Sequence, residues 1–401
     1  MRAQHLLIYA IAARSVAAYA PLTANLVHRG RGRAAPVVAN AEVARAVAEW
    51  CVSSGRGDAQ VGVSSAATTA EALRDFWRVA RGMGEAAQRG QLGLSFPHWQ
   101  EAADPRRFQA VVNHLLACGE VCEWVGESIV VSGRHPASHT TEDEPRPAPH
   151  PTLLLRSFVR SGPALWPEAD GEDPFAEPPG EGQAEAASGE MIADDATLLA
   201  ETRAWVEAVI CHMKVCPFAG TADRAGLPAG GVSYPITHAG TAEKTYERFW
   251  EQVHGLSLTD ERERSTVLLI TPNFALHSAG GFDAFADTLE SALAGLGFES
   301  VMQLVFFHPE YTFRDGKQRM GEGDAAAANF ARRSPYPMIN LLRTPQVRKA
   351  QKGIPTGSVY TTNERNLQHM GGSALSAMLE ARDWGGVFEK QFASHEENTW
   401  K

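Results

Sequence analysis

The sequence predicts an α/β protein of two tandem related domains, each a small, mainly parallel sheet with helices on both faces. Two observations carry this reading. First, segments recur in order at a spacing of roughly 170 residues, a domain-sized period. Val61–Trp77 reads VGVSSAATTAEALRDFW and Gly231–Trp250 reads GVSYPITHAGTAEKTYERFW. Leu92–Pro97 answers Leu268–Pro272, and Ser128–Val131 with His135-Pro136 answers Val301–Phe307 with His308-Pro309. Pro149-His150-Pro151 before Leu153–Arg156 answers Pro335-Tyr336-Pro337 before Leu341-Leu342-Arg343. Second, the later half alternates short apolar runs with stretches of helical periodicity, the pattern of strands joined by crossover helices.

The elements follow in order. Residues 1–40 hold five arginines and no acid, with a short apolar run from Leu6 to Ala13. That run is too short for a bilayer and has the size of a signal-peptide core. Ala17-Ala18-Tyr19-Ala20-Pro21 resembles the Ala-Phe-Ala-Pro motif of two-part plastid signals in algae with complex plastids. The expected location is therefore a plastid, with the secretory pathway as alternative. Residues 41–160 form the diverged first copy. Residues 161–193 are an acidic Pro/Gly-rich linker. Residues 194–382 form the second copy, which Asp194-Asp195 opens as helix-capping residues, and residues 383–401 are a tail. Within the second copy, Leu198 to Met213 share a helical face and Pro217 stops that helix. Val232–Thr237, Thr266–Thr271 and Val301–Phe307 read as strands. Thr241–His254, Phe282–Leu296 and Met338–Gln351 read as helices, so each half is expected to run α-β-α-β-α-β-α.

Composition excludes several function classes. The formal net charge is −10. Residues 161–202 hold eleven acids and no Lys or Arg, which accounts for the imbalance. The folded parts are then near neutral, with no basic field for nucleic acid. No membrane contact is expected of the mature form. Five cysteines in a chain of 401 residues argue against a disulfide framework. The histidines lack Cys-x-x-Cys or His-Glu-x-x-His spacing, so no metal is predicted. No cofactor can be named.

In open parallel sheets, ligands bind beyond the carboxyl ends of the strands. Those ends carry Thr237-His238, Pro272-Asn273 and His308–Tyr311. Cys216, in Val215-Cys216-Pro217-Phe218, is a candidate nucleophile. It ends a helix, whose negative pole disfavours a thiolate, so it would need a cationic partner such as His308, Arg332 or Arg333. His308 precedes a proline that turns the chain and presents the imidazole at the rim, where it could exchange protons. The same His-Pro pair in the first copy also fits a purely structural turn. Arg332 and Arg333, beside a proline-led helix start, suit a phosphate or carboxylate.

The second copy resembles the family catalogued as domain of unknown function 1415. The residues that carry this are Glu201–Glu207, Val215–Ala219, Phe307–Phe313, Arg333–Met338 with Leu341–Arg343, and Asn363–Asn366. The resemblance implies no reaction. Arg332 stands where the family usually has Asn. The expectation is a thiol-dependent enzyme, with Cys216 and His308 catalytic and Tyr311, Arg332, Arg333, Tyr336 and Asn273 binding a small anionic substrate. The alternatives are a non-catalytic small-anion sensor and a structural protein built on packing of the two copies against each other.

Overall fold

The computed structural model describes residues 37–54, 56, 59–86, 89–137, 147–158, 192–226, 230–313, 324–352 and 356–395. The leader up to residue 36, the linker from 161 to 191 and the end of the tail lie outside these. In the first half α1 (Val37–Ser53) begins inside the segment read as leader, and β1 (Gln60–Val63), α2 (Thr69–Glu85), β2 (Arg89–Ser95), α3 (Pro105–Cys118), β3 (Ile129–Arg134) and β4 (Thr152–Phe158) follow. The second half holds α4 (Asp195–Trp205), β5 (Gly231–Ser233), α5 (Ala242–Leu258), β6 (Arg264–Ile270), α6 (Ala279–Gly295), β7 (Met302–Phe307) and β8 (Met338–Arg343). Helices α7 (Thr344–Gln351), α8 (Thr356–Met370) and α9 (Gly372–Ala381) complete it.

Both sheets are mixed, not mainly parallel. The strand orders are β1-β2-β4-β3 and β5-β6-β8-β7. In each, the first two strands pair in parallel, and the last strand inserts antiparallel between the second and third. The sequence expectation failed at Met338–Gln351, read as one helix. Met338–Arg343 is a central strand, and the helix starts only at Thr344 with Pro345 in its first turn. A short apolar run such as Met-Ile-Asn-Leu-Leu has no periodicity that separates buried strand from buried helix. Only the proline at an N-terminal helical position marks where the helix begins.

N-terminal caps set the register of α2 and α5. Thr68 and Glu71 form a reciprocal capping box on α2, whereas Thr241 caps α5 alone. Counted from these caps, Phe76-Trp77 and Phe249-Trp250 fall at the same helical positions. The Thr-Ala-Glu match is therefore one residue out of step. Glu71 closes a cap, while Glu243 occupies the position of Ala70 and is buried.

Helices α2 and α3 cover one face of the first sheet, and α5 and α6 cover one face of the second. These two helical layers pack on each other, α2 against α5 and α3 against α6, in one continuous apolar core. Trp77 stacks on Tyr246 with centroids 4.4 Å apart, and Tyr246 stacks on Phe285 at 4.4 Å. Charges ring this contact. Glu247 accepts from Arg78 at 3.0 Å and from Arg81 at 2.8 Å, and Lys244 pairs with Glu85 at 2.8 Å. Glu243 reaches across to accept the backbone N–H of Trp124 at 2.7 Å. Burial pushes the imidazole of His114, in the same layer, down to about 4, so it is held neutral. On the outer face of the first sheet lies α1. On the outer face of the second lie α4, α8 and α9. The segment read as a tail is docked there: Trp384 and Val387 are buried, and Asn366 exchanges two hydrogen bonds with Ala393.

Because the halves share a core, they should unfold together. Trp77→Ala is expected to lower stability by about 3–5 kcal/mol, the usual cost of emptying a buried aromatic site. Urea titration followed by circular dichroism should give one transition for the wild type. Two separated transitions in the wild type would overturn the shared-core account.

Candidate functional site

Strands β5, β6 and β7 run in the same direction, and β8 starts where they end, so the predicted rim exists as a place. The residues expected there do not form one catalytic cluster. His308 is 1 % exposed. Its Nδ1 accepts the N–H of Glu310 at 3.1 Å, which leaves Nε2 protonated to donate to the carbonyl of Ala275 at 2.9 Å. Burial lowers its pKa, so the ring is neutral with both nitrogens committed to backbone. His135 in the first half does the same. Its Nδ1 accepts from Ala137 at 3.0 Å and its Nε2 lies 2.7 Å from the carbonyl of Ala102. Each ring rests on the phenylalanine of the next helix, Phe282 or Phe108. The His-Pro pair is a staple between a strand end and a neighbouring loop, repeated in both halves.

Tyr311, Arg332 and Arg333 do meet, beyond β7. Arg333 donates from Nε to the carbonyl of Tyr311 at 3.0 Å, and the Arg332 guanidinium stands 5.7 Å from the Tyr311 ring. Asn273 donates to the carbonyl of His238, in the loop after β5, at 3.3 Å. Tyr336 faces the other way, donating to Glu201 at 2.5 Å, and burial, then that carboxylate, raises the phenol's pKa.

Cys216 and His308 are not brought together. Side chains alternate between sheet faces along a strand. Phe307 points toward α4 and belongs to the same wall as Cys216, while His308 packs against Phe282 of α6 on the opposite face. Burial pushes the Cys216 thiol up, partly offset by the N–H groups of Phe218 and Ala219. The neighbouring Cys211 is pushed up to about 12, by burial and then by Glu207. Neither is a thiolate at neutral pH.

What the fold builds around Cys216 is a cavity of about 120 Å³ on the α4 face of the second sheet. Its floor is strand, from Thr266, Leu268, Phe307, Asn340 and Leu342, and its walls include Trp205, Phe218 and Tyr234. The chain reaches it through a π-helical turn, Val206–His212, and a left-handed residue, Lys214 with φ 57°. The amide of Cys216 then bonds back to Ile210 at 3.2 Å. A small hairpin follows, with a bridge between Ala219 and Ala225, and borders the cavity. Its neck needs glycine, since a Cβ at Gly226 would stand 2.2 Å from the carbonyl oxygen of Phe218. Its tip is tied down three times. Glu207 accepts the Ala222 N–H at 2.8 Å, the Tyr234 hydroxyl donates to the Ala222 carbonyl, and Arg203 pairs with Asp223.

Asn340 is the residue that sequence reasoning missed, because it fell in the segment read as helix. It sits mid-strand, and its carboxamide oxygen is buried without a hydrogen-bond partner. It pairs in register with Leu268, whereas the same place in the first sheet pairs Leu154 with Gly93. There the face is filled: Cys51, Leu154 and Val47 all approach within 3.7 Å of a Cβ placed on Gly93. Among the described residues no group of three or more His, Cys, Asp or Glu converges as a metal cage would require.

Residues 197–377 match the model of a family described as protein of unknown function (DUF1415). No curated protein matches the chain. No solved structure matches it either. No helix among the described residues is long and apolar enough to cross a membrane.

Two outcomes follow from this geometry. Alkylation of Cys216 by iodoacetamide should be slower than that of a free thiol at pH 8 and should still be rising beyond pH 9, measured by peptide mass spectrometry. His135→Ala and His308→Ala should each cost about 1–3 kcal/mol in urea melts, through the backbone groups they leave unpaired. A catalytic His308 would instead leave stability nearly untouched when removed.

Proposed function

We propose that this family domain binds a small, largely apolar molecule in the cavity beside Cys216. The observation that carries the reading is a contrast within one chain. The first half seals the corresponding sheet face with Leu154 and α1, while the second leaves a cavity floored by Asn340. An unpaired buried carboxamide oxygen costs about 1–3 kcal/mol, and this one belongs to a residue that lines the cavity. An apolar cavity of about 150 Å³ can hold a benzene-sized ligand, so one of this size suits a single ring or short chain. A ligand that also carries an N–H or O–H would satisfy Asn340. Segments that carry the family resemblance supply Trp205, Cys216, Phe218, Phe307 and Leu342 to the lining.

The reading keeps the binding alternative and changes its chemistry from anionic to apolar at this site. Thiol catalysis through a Cys216–His308 pair is disfavoured, because the imidazole sits on the other face with both nitrogens occupied. We further propose that the halves are copies of one duplicated unit, the first retained as a structural partner. The shared strand order, the paired His-Pro staples and the matched helix caps support this. The leader's composition supports import into a plastid as the setting.

The test is Asn340→Leu, which installs the residue found at the same place in the first sheet. Native mass spectrometry of the wild type should show a retained small molecule that organic extraction removes. The variant should lose it while gaining about 1 kcal/mol in stability. A variant that retains the same molecule at the same occupancy would falsify the reading.

A further inference from the structure

We infer that Arg332 forms an oxyanion site at the outer edge of the second sheet, taking the carboxylate or phosphate group of a small ligand. The site stands apart from the cavity and does not depend on it. Strand β7 is an edge strand, paired only with β8. Residue 332 closes its free side: the Arg332 carbonyl accepts the N–H of His308 at 3.1 Å, and Nη1 donates to the carbonyl of Phe306 at 3.2 Å. This edge closure explains the backbone and one donor. It does not explain the charge, because a neutral side-chain amide could donate to Phe306 equally well.

Arg332 is only 7 % exposed. Among the described residues no carboxylate pairs with it, and the contacts of its guanidinium are the Phe306 carbonyl and the face of Tyr311. A buried cation without a counter-charge is costly, and a ring face offsets little of that cost. The remaining Nε and Nη2 form the fork that grips an oxyanion side-on through two parallel hydrogen bonds. The guanidinium of Arg333 is turned to the Tyr311 carbonyl and lies 5.0 Å from the Phe330 ring. It adds positive potential without offering its own Nε. Glu310, whose charge acts on Arg333, is a negative group that would oppose an anion here.

The experiment is a thermal melt of the full chain in potassium phosphate against potassium chloride at equal ionic strength. The wild type should show a midpoint rise that saturates with phosphate and is absent in chloride. Arg332→Gln keeps a donor for Phe306 and should lose that rise, whereas Arg333→Gln should keep it. Equal behaviour of the wild type in the two salts would overturn the site, as would a full phosphate effect in Arg332→Gln. Should Arg332→Gln not fold, the Arg Nε–Hε resonances of the wild type decide. One of them should shift saturably with phosphate, and no movement of any would overturn the assignment.

Discussion

The stacking of α2 on α5 is the contact on which the rest of the molecule depends. A four-stranded sheet with helices on one side leaves those helices with an apolar outer surface that must be covered. Here each half covers the other. Trp77 lies on Tyr246, Tyr246 on Phe285, and both sheets drain into one core. The charges around this contact serve specificity more than strength. Glu247 draws two arginines from the opposite helix, which fixes how far α2 can slide along α5. Glu243 fixes the same register from the other side, by capping the backbone at Trp124. With the inner faces spent on each other, only the outer faces are left for anything beyond folding.

The two outer faces are used differently, and period-two alternation decides how. Every strand residue must face either the shared core or the outside. His308 follows Phe307 and so ends up against α6, where it can only join loop to strand. Cys216 meets Phe307 and Leu268 on the far side. Proximity in the strand order and convergence at a rim therefore do not make two groups partners. The sheet between them is a layer about 10 Å thick with its neighbours, and no proton passes through it.

Much of the scaffold was legible in the sequence, and the reasons are physical. Apolar runs bounded by Pro272 and Pro309 marked β6 and β7, and the amphipathic stretch from Thr241 marked α5. Internal comparison also separated the shared His-Pro pair from the unshared Cys-Pro-Phe, and both histidines bond backbone groups beside a strand end. What could not be read was strand order. A Leu-Leu-Arg run says that it is buried but not whether it closes a sheet or covers one, and that ambiguity hid both β8 and Asn340. The hairpin Ala219–Ala225 was equally hidden, because its pairing is only a few residues long and depends on Glu207, Tyr234 and Arg203 from elsewhere.

The cavity and the arginine edge are separate in chemistry but share a support. The indole of Trp205, a wall of the cavity, donates to the carbonyl of Arg333 at 3.0 Å and meets Phe307 edge-on at 5.2 Å. The preceding residue closes the free side of the strand that carries Phe307. Any movement of the 330–334 segment therefore acts on the cavity wall through that hydrogen bond and that ring contact. In the first half α1 packs on the corresponding sheet face, with Val47, Trp50 and Cys51 clustered with Leu154. That face of the first sheet is covered by apolar side chains, whereas the same side of the second sheet keeps a cavity and an unpaired carboxamide.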